Sequence, residues 1–181
     1  MKGLLQILLG GFAVFMVLAM AQEWQVFSSS WFGGVEPTVE APEADRKAAS
    51  DTVHQVLTLM EHLYASSGDA RFAERMPASE SVIGEIRADI DYLVRNHRRQ
   101  EMELRRLEIA SIDPLSENAL EIRTREYWNY RVIVFVGAEE PGPLQHQLTH
   151  GKYLVVRGSK GWRVARWELA EPPEGAEPGD S

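Results

Sequence analysis

Hydrophobic residues recur with a helical period in two stretches of the first half of the chain. In both stretches, apolar side chains three and four residues apart form one stripe of an amphipathic helix. The first stripe contains Val53, Val56, Leu57, Met60, Leu63 and Tyr64. The second contains Val82, Ile83, Ile86, Ile90, Leu93 and Val94. Pro42 favours the start of the first helix, Gly68 favours its end, and Ser79 is typical of an N-cap for the second. A short helical turn is predicted around residues 70–75.

From Met102 onward, the pattern alternates as it does in strands. In residues 118–137, every second side chain belongs to the more apolar face, which is predicted to point inward. That face contains Leu120, Ile122, Thr124, Glu126, Trp128, Tyr130, Val132 and Val134. A third strand is predicted over residues 144–158, and the hairpin of residues 151–169 completes the sheet. Helices followed by strands predict an α+β domain, with N-terminal helices packed on a strongly curved antiparallel sheet.

The N-terminal segment differs from the rest of the chain because residues 3–21 carry no charge. A helix of this length spans about 28 Å, close to the thickness of a bilayer's hydrocarbon core. Two interpretations stay open: a hydrophobic helix retained as a signal anchor within residues 1–22, or a signal peptide cleaved after Ala21. Lys2 precedes the segment and acidic residues follow it, which predicts that the C-terminal domain lies outside the cytoplasm. We therefore expect a single-pass membrane protein, or a secreted or periplasmic protein after cleavage.

Composition divides the remainder of the chain into three parts. Residues 23–41 are rich in Ser, Gly and Pro and are predicted to form a flexible tether, residues 42–170 the folded domain, and residues 171–181 a disordered acidic tail. The net charge of the chain is −8, and the domain carries only −2 of it. A nearly neutral domain lacks the basic excess of nucleic-acid-binding proteins. The absence of cysteine excludes a disulfide framework, Fe–S ligation and thiol catalysis.

The final hairpin carries a loose motif of aromatic, aliphatic and glycine positions, which consists of Tyr153, Val155, Arg157, Gly161, Trp162 and Val164. With the element order, it resembles the NTF2-like (cystatin-like cone) superfamily over about residues 45–170. Residues 119–130 are similar to membrane-associated members: the plastid-division IMS domain, VirB8-like secretion subunits and Mce-associated proteins. This resemblance implies a membrane-tethered, non-catalytic interaction or assembly module of the bacterial cell envelope, bound to an unidentified envelope protein. A homodimer stays open.

One acidic residue on the predicted inward face suggests an alternative, catalytic function. Glu126 and Tyr130 are candidate catalytic residues, in a ligand pocket lined with Trp128 and Tyr153, because a carboxylate in an apolar pocket is suited to act as a base. The protein would then be an exported small-molecule binder or a SnoaL-like or isomerase-like enzyme. The simpler interpretation is that Glu126 pairs with an arginine at the rim of the sheet.

The last candidate residues are two tryptophans and two histidines on strands. Trp162 and Trp167 have opposite parity on a regular strand, so we expect them to face opposite ways. One would fill the core, and the other would either form an outward interaction patch with Arg163 or pack under the tail or tether. His146 and His150 lie about 13 Å apart along one strand, which is too far to share a metal ion. Neither a metal nor a cofactor is predicted.

Overall fold

The structure is a computed structural model of the chain and describes residues 40–136 and 140–169. The predicted hydrophobic helix, the acidic tail and most of the tether lie outside the described residues, so the boundaries drawn there stay predictions. Within the described part of the chain, no helix is both long enough and apolar enough to cross a membrane.

Three helices precede the sheet, as the sequence predicts: α1 (Glu43–Ala65), α2 (Ala70–Arg75) and α3 (Glu80–Arg95). The first helix follows Pro42 and has two acidic residues in its first turn, where they favour the positive end of the helix dipole. The chain leaves this helix through Ser67 and Gly68, both with positive φ. The third helix is capped by Ser79, whose side chain accepts a hydrogen bond of 3.3 Å from the Val82 amide.

The second half of the domain is one antiparallel sheet, which confirms the predicted α+β class. Its strands are β1 (Arg98–Ser116), β2 (Ala119–Val134), β3 (Glu140–Pro141), β4 (Gln145–Gly158) and β5 (Gly161–Leu169). The hydrogen-bonded order is β1-β2-β4-β5, and the short β3 pairs with the end of β2 beyond β4. Three register shifts in the β1–β2 pair and one in the β4–β5 pair bend the long strands.

The core lies between the helices and one face of this sheet. Helices α1 and α3 contribute buried aliphatic side chains that include Val53, Leu57, Leu63, Val82, Ile86 and Ile90. The sheet contributes Leu120, Ile122, Trp128, Tyr153, Val155 and Val164. Both predicted helical stripes and the inward face of the first half of β2 therefore form the core. Val94, predicted on the buried stripe of α3, is the exception: it lies in the last turn of that helix and is 39% exposed.

The predicted inward face of β2 does not continue to the end of the strand. Val134, which the alternation places inward, is 39% exposed, whereas its neighbour Ile133 is only 4% exposed. The cluster of packed core residues includes Trp128 but not Tyr130 or Val134. The alternation of apolar residues therefore does not identify the buried side chains in the last part of β2.

The prediction that the two tryptophans of β5 face opposite ways was wrong. Val155 pairs with Val164 and the preceding Leu154 pairs with Arg166, so Ala165 is an extra residue in β5. One inserted residue reverses the alternation beyond it. Both tryptophans consequently pack against the core.

The outer edge of β5 is closed by the segment between α2 and α3. The Ser79 amide donates to the Val164 carbonyl at 2.8 Å, and the Val164 amide donates to the Pro77 carbonyl at 2.9 Å. The Ser79 hydroxyl also donates to the Ala165 carbonyl at 2.9 Å, at the bulge. Ser79 thus joins the start of α3 to the last strand.

Replacing Ser79 by alanine should therefore remove two contributions at once. We expect Ser79→Ala to lower the free energy of unfolding by about 2 kcal/mol, since a cap and a side-chain hydrogen bond each contribute about 1 kcal/mol. Urea denaturation measures this change. Ser81→Ala is the matched control, because that exposed serine only contacts Glu85 at 3.5 Å. Equal small losses in both variants would contradict the joining role of Ser79.

Candidate functional site

Glu126 lies in the middle of the sheet and on its covered face. It belongs to β2, opposite Leu107 of β1 and Thr149 of β4. The residue is only 3% exposed, and it is the one carboxylate among the described residues that is classed as buried. The alternation of β2 predicts this inward direction.

Three side chains donate hydrogen bonds to this carboxylate. Oε1 accepts from the Tyr153 hydroxyl at 2.6 Å and from Thr124 Oγ1 at 2.6 Å. Oε2 accepts from Trp128 Nε1 at 3.1 Å. An ionised carboxyl group only accepts hydrogen bonds, so this set of donors matches its needs. The arginine favoured by the sequence analysis is not among the hydrogen-bonding partners described for Glu126, because neighbouring strand residues supply the donors instead.

A glycine in β4 provides the space for this cluster. Gly151 lies directly opposite Thr124 in the sheet. A Cβ at this position would come within 2.5 Å of Thr124 Oγ1 and closer still to Glu126 Oε1. The cluster of Glu126, Thr124, Trp128 and Tyr153 therefore depends on a residue without a side chain at position 151.

The Tyr153 hydroxyl is a donor in this cluster and not a base. Burial raises the pKa of Tyr153 well above its usual value of 10, and the negative charge of Glu126 and the hydrogen bond to it act in the same direction. The phenol therefore keeps its proton and donates a hydrogen bond to the carboxylate.

The four predicted pocket residues separate into two groups. Trp128 and Tyr153 contact Glu126, as described above. The hydroxyl of Tyr130, the other candidate catalytic residue, instead donates to Gln145 Oε1 at the start of β4. The two candidate catalytic residues, Glu126 and Tyr130, therefore have different hydrogen-bond partners.

Neither of the two best-formed depressions in the described residues is lined by Glu126. The larger one has a volume of about 350 Å³ and lies between α1 and α2, where it is lined by Gln55, Thr58, Leu59, His62, Phe72 and Arg75. The other, between the end of α3 and the start of β1, leaves no room for a water molecule. The carboxylate is buried among the side chains that donate to it.

The predicted interaction residues on β5 are divided between the two faces of the sheet. Trp167 Nε1 donates to Glu85 Oε2 of α3 at 3.1 Å. The guanidinium of Arg157 lies 5.1 Å from the ring centre of Trp162 and also pairs with Asp45 of α1. The tryptophans therefore connect the final hairpin to two helices. Arg163 is exposed and pairs with Val156, on the opposite face.

The two strand histidines share one face, as their spacing predicts. His146 lies opposite Asn129, and its Nδ1 is 2.6 Å from Asn129 Oδ1. His150 lies opposite Arg125. Within residues 40–136 and 140–169, no group of three His, Asp or Glu side chains is placed to hold a metal ion.

The sequence did not predict the roles of two residues at this site, Thr124 as a donor to Glu126 and Gly151 as the residue that leaves space for the cluster. Thr124 was placed on the inward face, but no donor role was assigned to it. Gly151 interrupts an otherwise regular strand, and such a glycine often indicates the close approach of another group. A search for polar residues opposite that glycine would have found the cluster.

The role of Gly151 gives a direct test of the cluster. Gly151→Ala should lower the free energy of unfolding by about 1–3 kcal/mol, because the new methyl group forces the carboxylate or the strand to move. Thermal or urea denaturation measures the change. Gly84→Ala is the matched control: a Cβ there meets nothing within 4 Å, so this helical substitution should stabilise the protein by about 1 kcal/mol. Unchanged stability of Gly151→Ala would contradict the described packing.

The raised pKa of Tyr153 predicts how stability depends on alkaline pH. The unfolded chain loses this proton near pH 10 and the folded chain retains it, so the free energy of unfolding falls as the pH rises above 10. Tyr153→Phe should reduce that slope by roughly 1.4 kcal/mol per pH unit. At neutral pH, Tyr153→Phe should lower the free energy of unfolding by about 1–3 kcal/mol, since Glu126 loses a hydrogen-bond donor. Urea denaturation between pH 8 and 11.5 measures both effects.

A second buried tyrosine, Tyr64, should also contribute to the fall in stability at alkaline pH. Tyr64 donates to Asp89 Oδ2 at 2.6 Å, and burial and that carboxylate raise the pKa of Tyr64 as well. Tyr64→Phe should therefore reduce the slope independently, and the two reductions should add. A wild-type slope that survives in Tyr153→Phe would contradict the assignment.

Comparison with known proteins supports the fold. No model of a protein family matches this sequence, and no curated protein matches it. The intermembrane space region of the chloroplast protein ARC6 matches with a TM-score of 0.59 at 12% identity, over 72% of this chain and 100% of that chain.

Two further solved structures have lower scores. A ketosteroid isomerase-like protein from Erwinia carotovora atroseptica matches with a TM-score of 0.48 at 10% identity, over 72% of this chain and 100% of that chain. An NTF2-like protein involved in plasmid conjugation matches with a TM-score of 0.43 at 12% identity, over 59% of this chain and 42% of that chain. Likeness at such identities shows the fold alone. The domain therefore shares its α+β fold, with helices packed on one antiparallel sheet, with the ARC6 region, which agrees with the fold class that the sequence predicted.

Proposed function

We propose that this chain is a membrane-tethered, extracytoplasmic domain that serves as a non-catalytic protein-interaction or assembly module of the cell envelope. One observation carries the non-catalytic part of this proposal. The carboxylate of Glu126 accepts three internal hydrogen bonds and lines neither of the two best-formed depressions. A general base must reach the proton that it removes, and a carboxylate that is only 3% exposed and surrounded by its own donors is not accessible to a substrate.

The sequence of the N-terminal residues, which lie outside the described part of the chain, supports the proposed membrane tether. Residues 3–21 have the length and apolar character of a membrane-spanning helix, and residues 23–41 have the composition of a tether. The ARC6 region, which has the highest TM-score of the structures quoted above, comes from an intermembrane space. A region with this fold is therefore known from an intermembrane space.

The uncovered face of the sheet supports a protein partner over a nucleic acid. Acidic and basic side chains alternate on it in ion pairs, among them Arg131 with Glu101 at 2.7 Å and Lys152 with Glu168 at 2.9 Å. A surface of mixed sign offers many polar contacts but no continuous positive field for phosphates. The partner expected on it is an envelope protein.

Topology in cells tests the membrane part of the proposal. We expect an epitope tag placed after Ser181 to be digested by protease added to intact spheroplasts, and the chain to stay in the membrane pellet after a carbonate wash. Val14→Arg, which places a charge inside the apolar segment, is the control that should release or mislocalise the chain. A mature N-terminus at Gln22 would contradict the tether, and a tag protected from external protease would contradict the extracytoplasmic location.

A second measurement addresses the alternative of an exported enzyme or small-molecule binder around Glu126. Glu126→Gln should lower stability, because an amide brings a donor into a ring of donors. The folded variant should still bind the envelope partner identified by cross-linking in cells. Loss of turnover or of ligand binding in a folded Glu126→Gln protein would establish the alternative and overturn the non-catalytic proposal.

A further inference from the structure

The free edges of the sheet differ in how they are protected. The edge of β5 is closed at Val164 by the segment before α3, as described above. The edge of β1 is interrupted by three bulges and contacted by α1, whose Glu61 accepts from the Leu104 amide at 3.4 Å. Arg46 of the same helix donates to the Ile112 carbonyl at 3.2 Å. Bulges and covering segments are the devices by which proteins prevent a strand edge from pairing with another chain.

One stretch of β4 has none of these devices. Strand β5 ends where Leu169 pairs with Gly151, so residues 145–150 have β2 on one side and no strand of the described chain on the other. The pairing of β4 with β2 shows no register shift, so this edge is straight. The stretch contains neither Lys nor Pro, and Leu148 in it is 46% exposed. An unpaired edge of this kind favours the addition of another strand.

The chain that follows β5 is poorly suited to cover this edge. After Leu169, the sequence continues with Ala170 and Glu171 and then with Pro172 and Pro173. A proline has no backbone N–H and cannot donate to a strand ladder. The sequence therefore opposes the continuation of β5 along residues 145–150.

We propose that this edge pairs with the same edge of a second copy of the chain, antiparallel and about a two-fold axis at Gln147. A two-fold axis perpendicular to the sheet brings residues of the same face opposite each other, so the centre must be a residue and not a peptide bond. The axis lies at Gln147 and not at Leu148, because Leu169 already occupies the position beside Gly151. An axis at Leu148 would bring the partner's Gln145 into that occupied position.

The side chains that meet in this arrangement are compatible. Gln147 lies opposite the partner's Gln147, His146 opposite the partner's Leu148, and Gln145 opposite the partner's Thr149. None of these residues is acidic, Lys or Arg, and the one histidine of each copy lies opposite a leucine, so no like charges oppose each other. Amide and hydroxyl side chains can form hydrogen bonds across the pair. Five residues from each copy form a small interface, so we expect a weak and reversible dimer.

Cysteine cross-linking tests the pairing and its register, because the chain contains no cysteine of its own. Opposite residues of an antiparallel pair have Cα atoms about 4.5–5.5 Å apart, within the range that a disulfide spans. In the full chain in detergent, mild oxidation should link Gln147→Cys to itself. A mixture of His146→Cys and Leu148→Cys should link more rapidly than either variant alone. Leu115→Cys is the control, since Leu115 is 41% exposed at another edge of the sheet.

A charge exchange at the axis gives an independent result that does not depend on oxidation. Gln147→Lys and Gln147→Glu each place like charges opposite each other, so each variant should be monomeric by sedimentation in detergent. The two variants mixed should form a heterodimer. Gln147 is exposed, so neither change should alter the melting temperature of the monomer.

The opposite results would overturn the inference. Gln147→Cys could form disulfide-linked dimers no faster than Leu115→Cys. The wild-type chain could stay monomeric at high concentration, or Gln147→Lys and Gln147→Glu could each still dimerise alone. A cross-link from position 147 to a protein of another mass would show that the edge binds a different strand. The proposed dimer does not require membrane attachment, so a failed topology experiment and a failed pairing experiment are distinguishable.

Discussion

A carboxylate that is removed from water must find its hydrogen-bond donors inside the protein, and this constraint determines the centre of the sheet. Glu126 is surrounded by donors from its own strand and from the neighbouring one. The glycine at position 151 leaves the space that the carboxylate fills. Leaving such a group without its donors costs several kcal/mol, so the register of β2 against β4 is strongly constrained at this point. Because these donors surround the buried carboxylate, it is kept away from solvent, and the proposed non-catalytic role rests on that burial.

At the ends of the strands, the regular alternation of buried and exposed side chains breaks down. Where helices cover the sheet, alternation continues and side chains pack into one core. At the end of β2, Val134 is exposed and its neighbour Ile133 is buried, so the alternation no longer matches burial. At Ala165, one extra residue directs Trp167 toward α3, and the segment before that helix closes the same edge. The first six residues of β4 extend beyond this protection, and the inference of self-pairing begins from that difference.

The sequence predicted the kinds of elements well because their periods are strong signals. The apolar stripes of α1 and α3 and the inward direction of Glu126 all follow from spacing alone. The bulge at Ala165 could not be predicted, because an inserted residue in a strand leaves little trace in the order of apolar and polar residues. The inward alternation placed Thr124 and Trp128 beside Glu126, and Tyr153 was a predicted pocket residue, but their role as hydrogen-bond donors was not predicted. The space left by Gly151, 25 residues away, depends on the pairing of β2 with β4, which spacing within one strand does not reveal. The membrane segment stays a prediction from length and composition.

The central claim is that Glu126 stabilises the sheet and takes part in no reaction. Replacing the carboxylate together with its two hydroxyl donors leaves only Trp128 Nε1–H without a partner, whereas removing the carboxylate alone leaves three donors unpaired. The most direct measurement is therefore complementation of a deletion strain by the triple variant Glu126→Leu, Thr124→Val and Tyr153→Phe, together with its free energy of unfolding. We predict that the triple variant is more stable than Glu126→Leu alone and restores the wild-type phenotype. A triple variant that is folded and stable but fails to restore that phenotype would contradict the structural role and point to chemistry at the carboxylate.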